Sequence, residues 1–413
     1  MSLILAPLVA ALITGILIGW FKPAAVRIGL VDKPGLKKRH KGHIPVVGGI
    51  AIFAGFTFSL LLLHTYPLRD LRALIAGSLL LLIIGVIDDV LRLPVLTRFM
   101  AQIAAALMMA LWTGVVLLSL GELMVPGQAV TLGILAIPFT VFAVVGVINA
   151  ANMSDGIDGL LGTLSFFAIA GLSIAAFVAG RTSELSLLLI MAGCMVGYLA
   201  FNMRTPWRDR ASVFMGDGGT MFIGFVLAYF MIKLSQGANP AITPVTALWL
   251  IALPLFDAVG MMIRRIMKGR SPFDGDLEHM HHVLLWAGFT VPQSVSIMGV
   301  LAATCVAVGL GGMYLNVPQP LMFAFFLMTG FAHFGLTMRS WKLLKFFNRS
   351  ICRRRAANDR RSPADRRQTP AGADAWPWAE RRDGVDRRYN SRRDNLPEQL
   401  ETGGDDNQKQ ASG

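Results

Sequence analysis

Eleven apolar stretches, each near the roughly 20 residues that cross a bilayer as a helix, set the limits on what this chain can fold into. They fall at residues 3–21, 45–65, 71–87, 99–120, 129–148, 160–178, 185–203, 220–234, 243–263, 291–312 and 321–338. A soluble domain would carry about 25% charged residues, whereas this chain carries 15% and is 54% hydrophobic. The expected fold class is therefore all-α: a polytopic integral membrane protein of about eleven transmembrane helices. The stretch at 220–234 is the shortest, and residues 149–160 are too polar to face lipid, so ten is the alternative count.

Basic residues orient the threading, because Lys and Arg accumulate in cytoplasmic loops. With the N-terminus outside, twenty Lys/Arg fall in inward loops, against Arg69, Arg72, Arg181 and Lys233 outside. The C-terminus is then cytoplasmic, and the protein is expected to be multi-pass in the cell's inner (plasma) membrane. The first stretch lacks a basic flank before it and has one after it, so it reads as a retained helix and not a cleaved signal. Cys194, Cys305 and Cys352 have no metal spacing and suggest neither a zinc site nor a disulfide framework. Residues 1–338 are expected to form the membrane body and 339–413 a cytoplasmic, largely disordered charged tail. Residues 352–413 hold fourteen Lys/Arg and eleven Asp/Glu with few apolar residues, too few to bury a core. The tail repeats a pattern, DRRSPADRR at 359–367 and ERRDGVDRR at 380–388. A solvated polyampholyte is the simple reading, and binding to anionic lipid or a protein partner the functional one.

Four polar clusters share the inward side. Asp88-Asp89 ends an apolar run, where carboxylates are costly unless wet or paired. Two adjacent carboxylates repel and favour a nearby cation, while a cap or an ion pair with Arg92 is the structural alternative. In NAANMSDGIDGL, Asn149, Asn152, Asp155 and Asp158 recur every third position, close to one helical face. FMGDGGT sets Asp217 among glycines at the entry to a span. An Asp there suits magnesium, which takes oxygen ligands together with substrate phosphate, and Gly218, Gly219 and Thr220 at a helix N-terminus offer N–H groups to phosphate. A tight turn with a capping Asp is the alternative. His279, His281 and His282 lack a cysteine companion, so contacts to pyrophosphate oxygens are preferred over zinc ligation. Basic residues at 29–49 suit steering of anionic substrates and lipid headgroups.

Read in order, GLVDKPGLKKRHKGHIPVVGG, GVIDDVLRL, NAANMSDGIDGLLG, SVFMGDGGT and EHMHHVLL resemble the polyprenyl-phosphate N-acetylhexosamine-1-phosphate transferases, and specifically their WecA branch. The muropeptide-transferring MraY branch usually carries three adjacent histidines, a run that Met280 interrupts here. One departure lies at Asp276-Leu277-Glu278, where the WecA branch commonly has an Arg.

The resemblance implies transfer of N-acetylhexosamine-1-phosphate, with N-acetylglucosamine first in line, from a UDP-sugar to undecaprenyl or another polyprenyl phosphate. UMP is released, and the product begins lipid-linked glycan assembly, as for O-antigen. Asp88 and Asp89 are assigned to the reacting phosphates. Asn149, Asp155, Asp158, His279, His281 and His282 are assigned to substrate, and Asp217, Asn152 and Asp155 to Mg2+, with Mn2+ as substitute. The expected partners are UDP-N-acetylhexosamine, polyprenyl phosphate, membrane lipids and a second copy in a homodimer; no nucleic acid is expected. A lipid phosphate, with second pKa near 6, is already mostly ionised, so direct attack is favoured over a covalent aspartyl intermediate. Alternatives are a phospho-MurNAc-pentapeptide transferase-like activity and a lipid-linked-sugar transporter. The latter would place polar groups near mid-bilayer, whereas here they gather at one surface.

Overall fold

The structure, a computed structural model, describes residues 5–32, 43–63, 71–269, 271 and 279–358, with side chains described up to 339. Among these residues thirteen α-helices carry the chain. They are α1 (Leu5–Ile28), α2 (Gly48–Leu63), α3 (Arg72–Leu91), α4 (Val95–Thr113), α5 (Ala136–Ser154), α6 (Leu160–Val178), α7 (Thr182–Asn202), α8 (Gly216–Ser235), α9 (Pro244–Leu250), α10 (Ala252–Met267), α11 (Met280–Trp286), α12 (Val291–Tyr314) and α13 (Gln319–Asn358). The β-structure described is one antiparallel pair, β1 (Val31–Asp32) with β2 (Ile44–Pro45), and three isolated bridges. The all-α class holds, and the protein is a multi-pass membrane protein. Among the described residues nine helices are individually long and apolar enough to cross a bilayer, and α9 with α10 would make a tenth. Eleven crossings require α2 to span as well, and its 16 residues reach only about 24 Å at 1.5 Å per residue.

Several expected boundaries move for local reasons. The stretch at 99–120 stops being helical at Thr113, where Gly114 takes a left-handed cap with φ 64°. The segment that follows folds on itself through a Ser119–Thr131 bridge. The stretch at 243–263 is broken between α9 and α10 by an 81° bend. Pro254 explains the break, since it supplies no N–H to the Leu250 carbonyl and crowds the turn before it. The last stretch runs on past residue 338 as α13.

The shortest apolar stretch becomes the centre of the molecule. Helix α8 begins at Gly216, so the glycine-rich motif forms its first turn, and nearly all its residues through Ser235 are buried. A helix apolar on every side belongs inside a bundle; α3, α5, α2 and α6 pack round it. Glycine permits the closest approaches. A Cβ on Gly85 of α3 would overlap the backbone of Gly218, and one on Gly49 of α2 would overlap Gly219. The first turn of α8 is also tied to the chain before α2. Phe214 N–H donates to the Pro45 carbonyl at 2.9 Å, while Gly48 and Gly49 N–H groups donate to the carbonyls of Phe214 and Met215 at 2.8 and 2.9 Å.

The chain divides into Met1–Phe347 and Asn348–Gly413. The first unit holds the bundle. In the second, only the end of α13 is described: of the tail expected to be disordered at 339–413, residues 339–358 continue α13, residues 359–413 with the repeats lie outside the described residues, and the expected boundary at 338 falls within a helix.

Candidate active site

The acidic pair closes α3. Asp88 is buried at 5% exposure: one carboxylate oxygen accepts the Leu93 N–H at 2.6 Å and the other pairs with the Arg98 guanidinium at 3.1 Å. Arg92, the ion-pair partner of the structural alternative, instead terminates the helix in a left-handed conformation, φ 54°. The cation that matters comes from the first turn of α4. Asp89 points the other way, and both its oxygens accept the backbone N–H of Asp217 at 3.1 Å. The anion at the N-terminus of α8 is thus the chain's own carboxylate. This corrects the expectation that the Gly218-Gly219 turn is a cradle for phosphate: those glycines pack against α3 and α2, and the N–H of Asp217 is taken.

Asp217 is met from the opposite side by α5. The Asn152 amide donates to the Asp217 carboxylate at 3.1 Å and to the Thr220 hydroxyl at 2.8 Å, and Thr220 Oγ1 donates to the Asp217 carbonyl at 3.0 Å. With its NH2 committed, Asn152 keeps a carbonyl oxygen for a ligand. Asp88 and Arg98 are electrostatic neighbours of the same carboxylate. Motifs more than sixty residues apart in sequence therefore converge through direct contacts.

The four-residue polar stripe does not persist. Helix α5 ends at Ser154, so Asp155 and Asp158 fall in the turn leading to α6, where Gly159 has φ 87°. Asn202 holds this turn by accepting the Gly159 N–H at 2.7 Å. Asp158 serves the same local purpose, binding Arg204 at 2.7 Å and the Ala211 N–H at 3.1 Å. Asn149 stands one turn before Asn152 with its amide on Gln102 at 2.7 Å and on the Val145 carbonyl, and the structure ties it to α4, not to the acidic cluster. Asp155 is exposed as a residue while its carboxyl packs within the protein. The surrounding protein strips water from its carboxyl and the charges of Asp217 and Asp158 add to the effect, pushing its pKa up to about 7.

The histidine motif docks on that turn. His281 is 1% exposed and lies against Gly156, where a Cβ would overlap its ring. Burial, with His282 and His279 close by, holds its pKa well below the usual histidine value. Its two ring nitrogens have no hydrogen-bond partner among the described residues. His279 stacks on His281 with centroids 5.3 Å apart, and His282 stacks on Trp286 at 5.8 Å. Asp257 of α10 anchors the segment, contacting His279 Nδ1 at 2.8 Å and accepting the Met280 N–H at 3.0 Å. Asp257, His279 and His281 each offer a ligand atom within 4.8 Å of the others, near enough for a metal ion. The Asp257–His279 contact, however, already has the length of a direct hydrogen bond.

Asp257, Arg98 and Gln102 were not singled out from sequence. Asp257 did carry a signal, since a lone carboxylate inside an apolar stretch needs a partner. In sequence Arg98 reads as one more inward-loop charge, and Gln102 has no visible partner. Residues 33–42 and 272–278, which hold most of the basic loop and the Asp276-Leu277-Glu278 departure, lie outside the described residues.

Comparison with known proteins finds relatives that cover most of the chain. The model of glycosyl transferase family 4 matches residues 71–235, which carry three of the motifs above. The undecaprenyl-phosphate α-N-acetylglucosaminyl 1-phosphate transferase of Salmonella typhimurium is 39% identical over 352 residues, covering 85% of this chain and 95% of its own. The protein of the same name from Escherichia coli K12 is 38% identical over 354 residues, with the same coverage. That of Yersinia pestis is 37% identical over 338 residues, covering 82% and 92%.

Proposed function

This chain belongs to the undecaprenyl-phosphate α-N-acetylglucosaminyl 1-phosphate transferases of glycosyl transferase family 4, and we propose that it moves N-acetylglucosamine-1-phosphate from UDP-N-acetylglucosamine to undecaprenyl phosphate. The reaction forms a bond between a lipid phosphate oxygen and the donor's β-phosphorus, breaks the bond from that phosphorus to the bridging oxygen, and releases UMP. It opens the assembly of a lipid-linked cell-envelope glycan such as O-antigen. We place it in the inner membrane with the site facing the cytoplasm, where UDP-sugars are found.

The observation that carries this reading is the meeting of α3, α5 and α8 at Asp217, where Asp89, Asn152 and Asp88 converge. The donor set fits a hard divalent cation. Its atoms are oxygens, and the carboxylates of Asp88, Asp89, Asp155 and Asp217 gather there, with Arg98 paired to Asp88. Asp217, Asp155 and the Asn152 carbonyl would hold Mg2+, with Mn2+ as a substitute. When bound, the ion would neutralise charge on the non-bridging oxygens of the diphosphate, the dominant demand in phosphoryl transfer.

The protein's own groups divide the remaining work. An incoming phosphate monoester is already mostly ionised at neutral pH, so Asp88, engaged by Arg98 and the Leu93 N–H, is not needed as a strong base. Asp88 holds Arg98 at the reacting phosphates, and Asp89 fixes the first turn of α8 and with it Asp217. His279, His281 and His282 face the donor, and Asp158 and Asn149 keep the turn and α5 in register. The test is purified protein with undecaprenyl phosphate and a panel of labelled UDP-sugars. Lipid-extractable label from UDP-N-acetylglucosamine is expected, and label solely from UDP-MurNAc-pentapeptide would reject the assignment.

A further inference from the structure

We propose that Asp257 is a positioning residue for the nucleotide-sugar site: it acts through His279, fixing which ring nitrogen is presented to the donor. The inference rests on the function proposed above and names a residue which that function does not use. Asp257 is 4% exposed, on the first turns of α10 after the 81° bend. A carboxylate so placed in an apolar helix is retained only where its oxygens are engaged, and its two shortest contacts both fall on the histidine motif. One oxygen lies 2.8 Å from His279 Nδ1; the other accepts the Met280 N–H at 3.0 Å and stands 3.7 Å from His333 Nε2 of α13.

The consequence is geometric. A carboxylate only accepts, so Nδ1 of His279 carries the proton in this contact, and Nε2 is the nitrogen left for a ligand. The Met280 N–H bond fixes the backbone one residue on, so ring and main chain are set by a single side chain. Stacking of His279 on His281, which rests on Gly156 next to Asp155, relays that orientation to the acidic cluster. Asp257 thus links the bent helix to the donor-facing histidines without itself reaching the reacting phosphates.

Asp257→Asn separates orientation from architecture, because an amide oxygen still accepts the Met280 N–H while its NH2 now faces Nδ1 and reverses the ring's tautomer. The KM for UDP-N-acetylglucosamine is expected to rise about tenfold, the scale of one charge-assisted hydrogen bond, with kcat changed far less. Combined with His279→Ala, Asp257→Asn should add nothing, as for two residues acting through one contact. Effects that multiply, or a fall in kcat at unchanged KM, would overturn the proposal. Should the Asn variant fold poorly by detergent melting, 15N-histidine NMR of the wild type decides. His279, assigned by difference with His279→Gln, should show a protonated Nδ1 and respond to UDP; an unprotonated Nδ1 refutes the idea. Donor binding by the wild type that requires added zinc would also refute it, making Asp257, His279 and His281 a metal centre. Absence of transfer by the wild type would instead defeat the proposed function, which keeps the two failures apart.

Discussion

The backbone N–H of Asp217 donates to both carboxylate oxygens of Asp89, 128 residues away, at 3.1 Å. That one relationship places the acidic pair of α3 on the N-terminus of α8, where a negative charge is favoured by the helix dipole. Asp89→Asn keeps an acceptor and loses the charge. We expect the melting temperature to stay near wild type, because the cost of burying the charge beside Asp217 and Asp88 offsets the roughly 0.3–1 kcal/mol that the dipole offers, and a fall in turnover of about a hundredfold or more, the scale for removing one preorganised electrostatic group. Detergent melting curves and steady-state turnover on the same preparation check both.

Arg98→Ala should be costlier to the fold than Asp89→Asn. It leaves Asp88 buried without its cation, a loss of about 3–5 kcal/mol for half of a buried pair. Arg98 is about a third exposed, so the lower end is expected. Asp88→Asn with Arg98→Ala should recover part of the melting temperature and none of the turnover. Recovery of turnover in the double variant would mean that the pair is purely structural.

Gly85→Ala tests the packing that delivers the site. Its methyl would meet the Gly218 backbone, and overpacking of this kind costs about 1–3 kcal/mol. Turnover should fall with it, because Asp88 and Asp89 lie one turn further along α3. Gly146→Ala in α5 has open space round the added carbon, and should leave melting temperature and turnover near wild type.

Metal dependence should carry a pH signature at Asp155. Its carboxyl, pushed up to about 7 in the metal-free protein, holds a proton below that pH, and a metal must displace it. Apparent Mg2+ affinity should therefore fall as pH drops below 7, approaching about tenfold per unit for one competing proton. The stability effect has the opposite sense. A raised carboxyl favours the folded, metal-free protein at pH below about 4, and this contribution is lost as pH rises through about 7. Asp155→Asn should flatten both trends; full activity of the wild type in excess EDTA would exclude the metal.

Much of the site could be read from residue type and spacing. Asp217, Asn152 and Asp88-Asp89 are polar in segments otherwise built for lipid, and such residues need partners whatever the fold. The relations among them were not legible. Nothing local shows that Gly218 and Gly219 serve α3 and α2 and not a phosphate, because helix crossings belong to tertiary structure. Asn149 looked like a fourth member of a stripe, yet Gln102 of α4 takes its amide. The stripe needs α5 to continue to Asp158, whereas the helix ends at Ser154 and the chain turns into α6 at Gly159. The bend at α9–α10 was written in Pro254, but its consequence, an Asp257 turned toward the histidines, needed the three-dimensional path.

Removal of residues 359–413 should leave detergent-solubilised turnover within about twofold, since none of the candidate site residues lies beyond His282 and this segment carries too few apolar side chains to bury a core. Cutting at 359 also respects α13, which runs to Asn358.

The central claim is transfer of a sugar together with its phosphate, and donor carrying 32P at the β-phosphorus and 3H in the N-acetylglucosamine tests it most directly. With undecaprenyl phosphate as acceptor, both labels should enter the lipid fraction in the ratio of the donor, with UMP as the released nucleotide. Tritium entering lipid without 32P, with UDP released, would contradict the account.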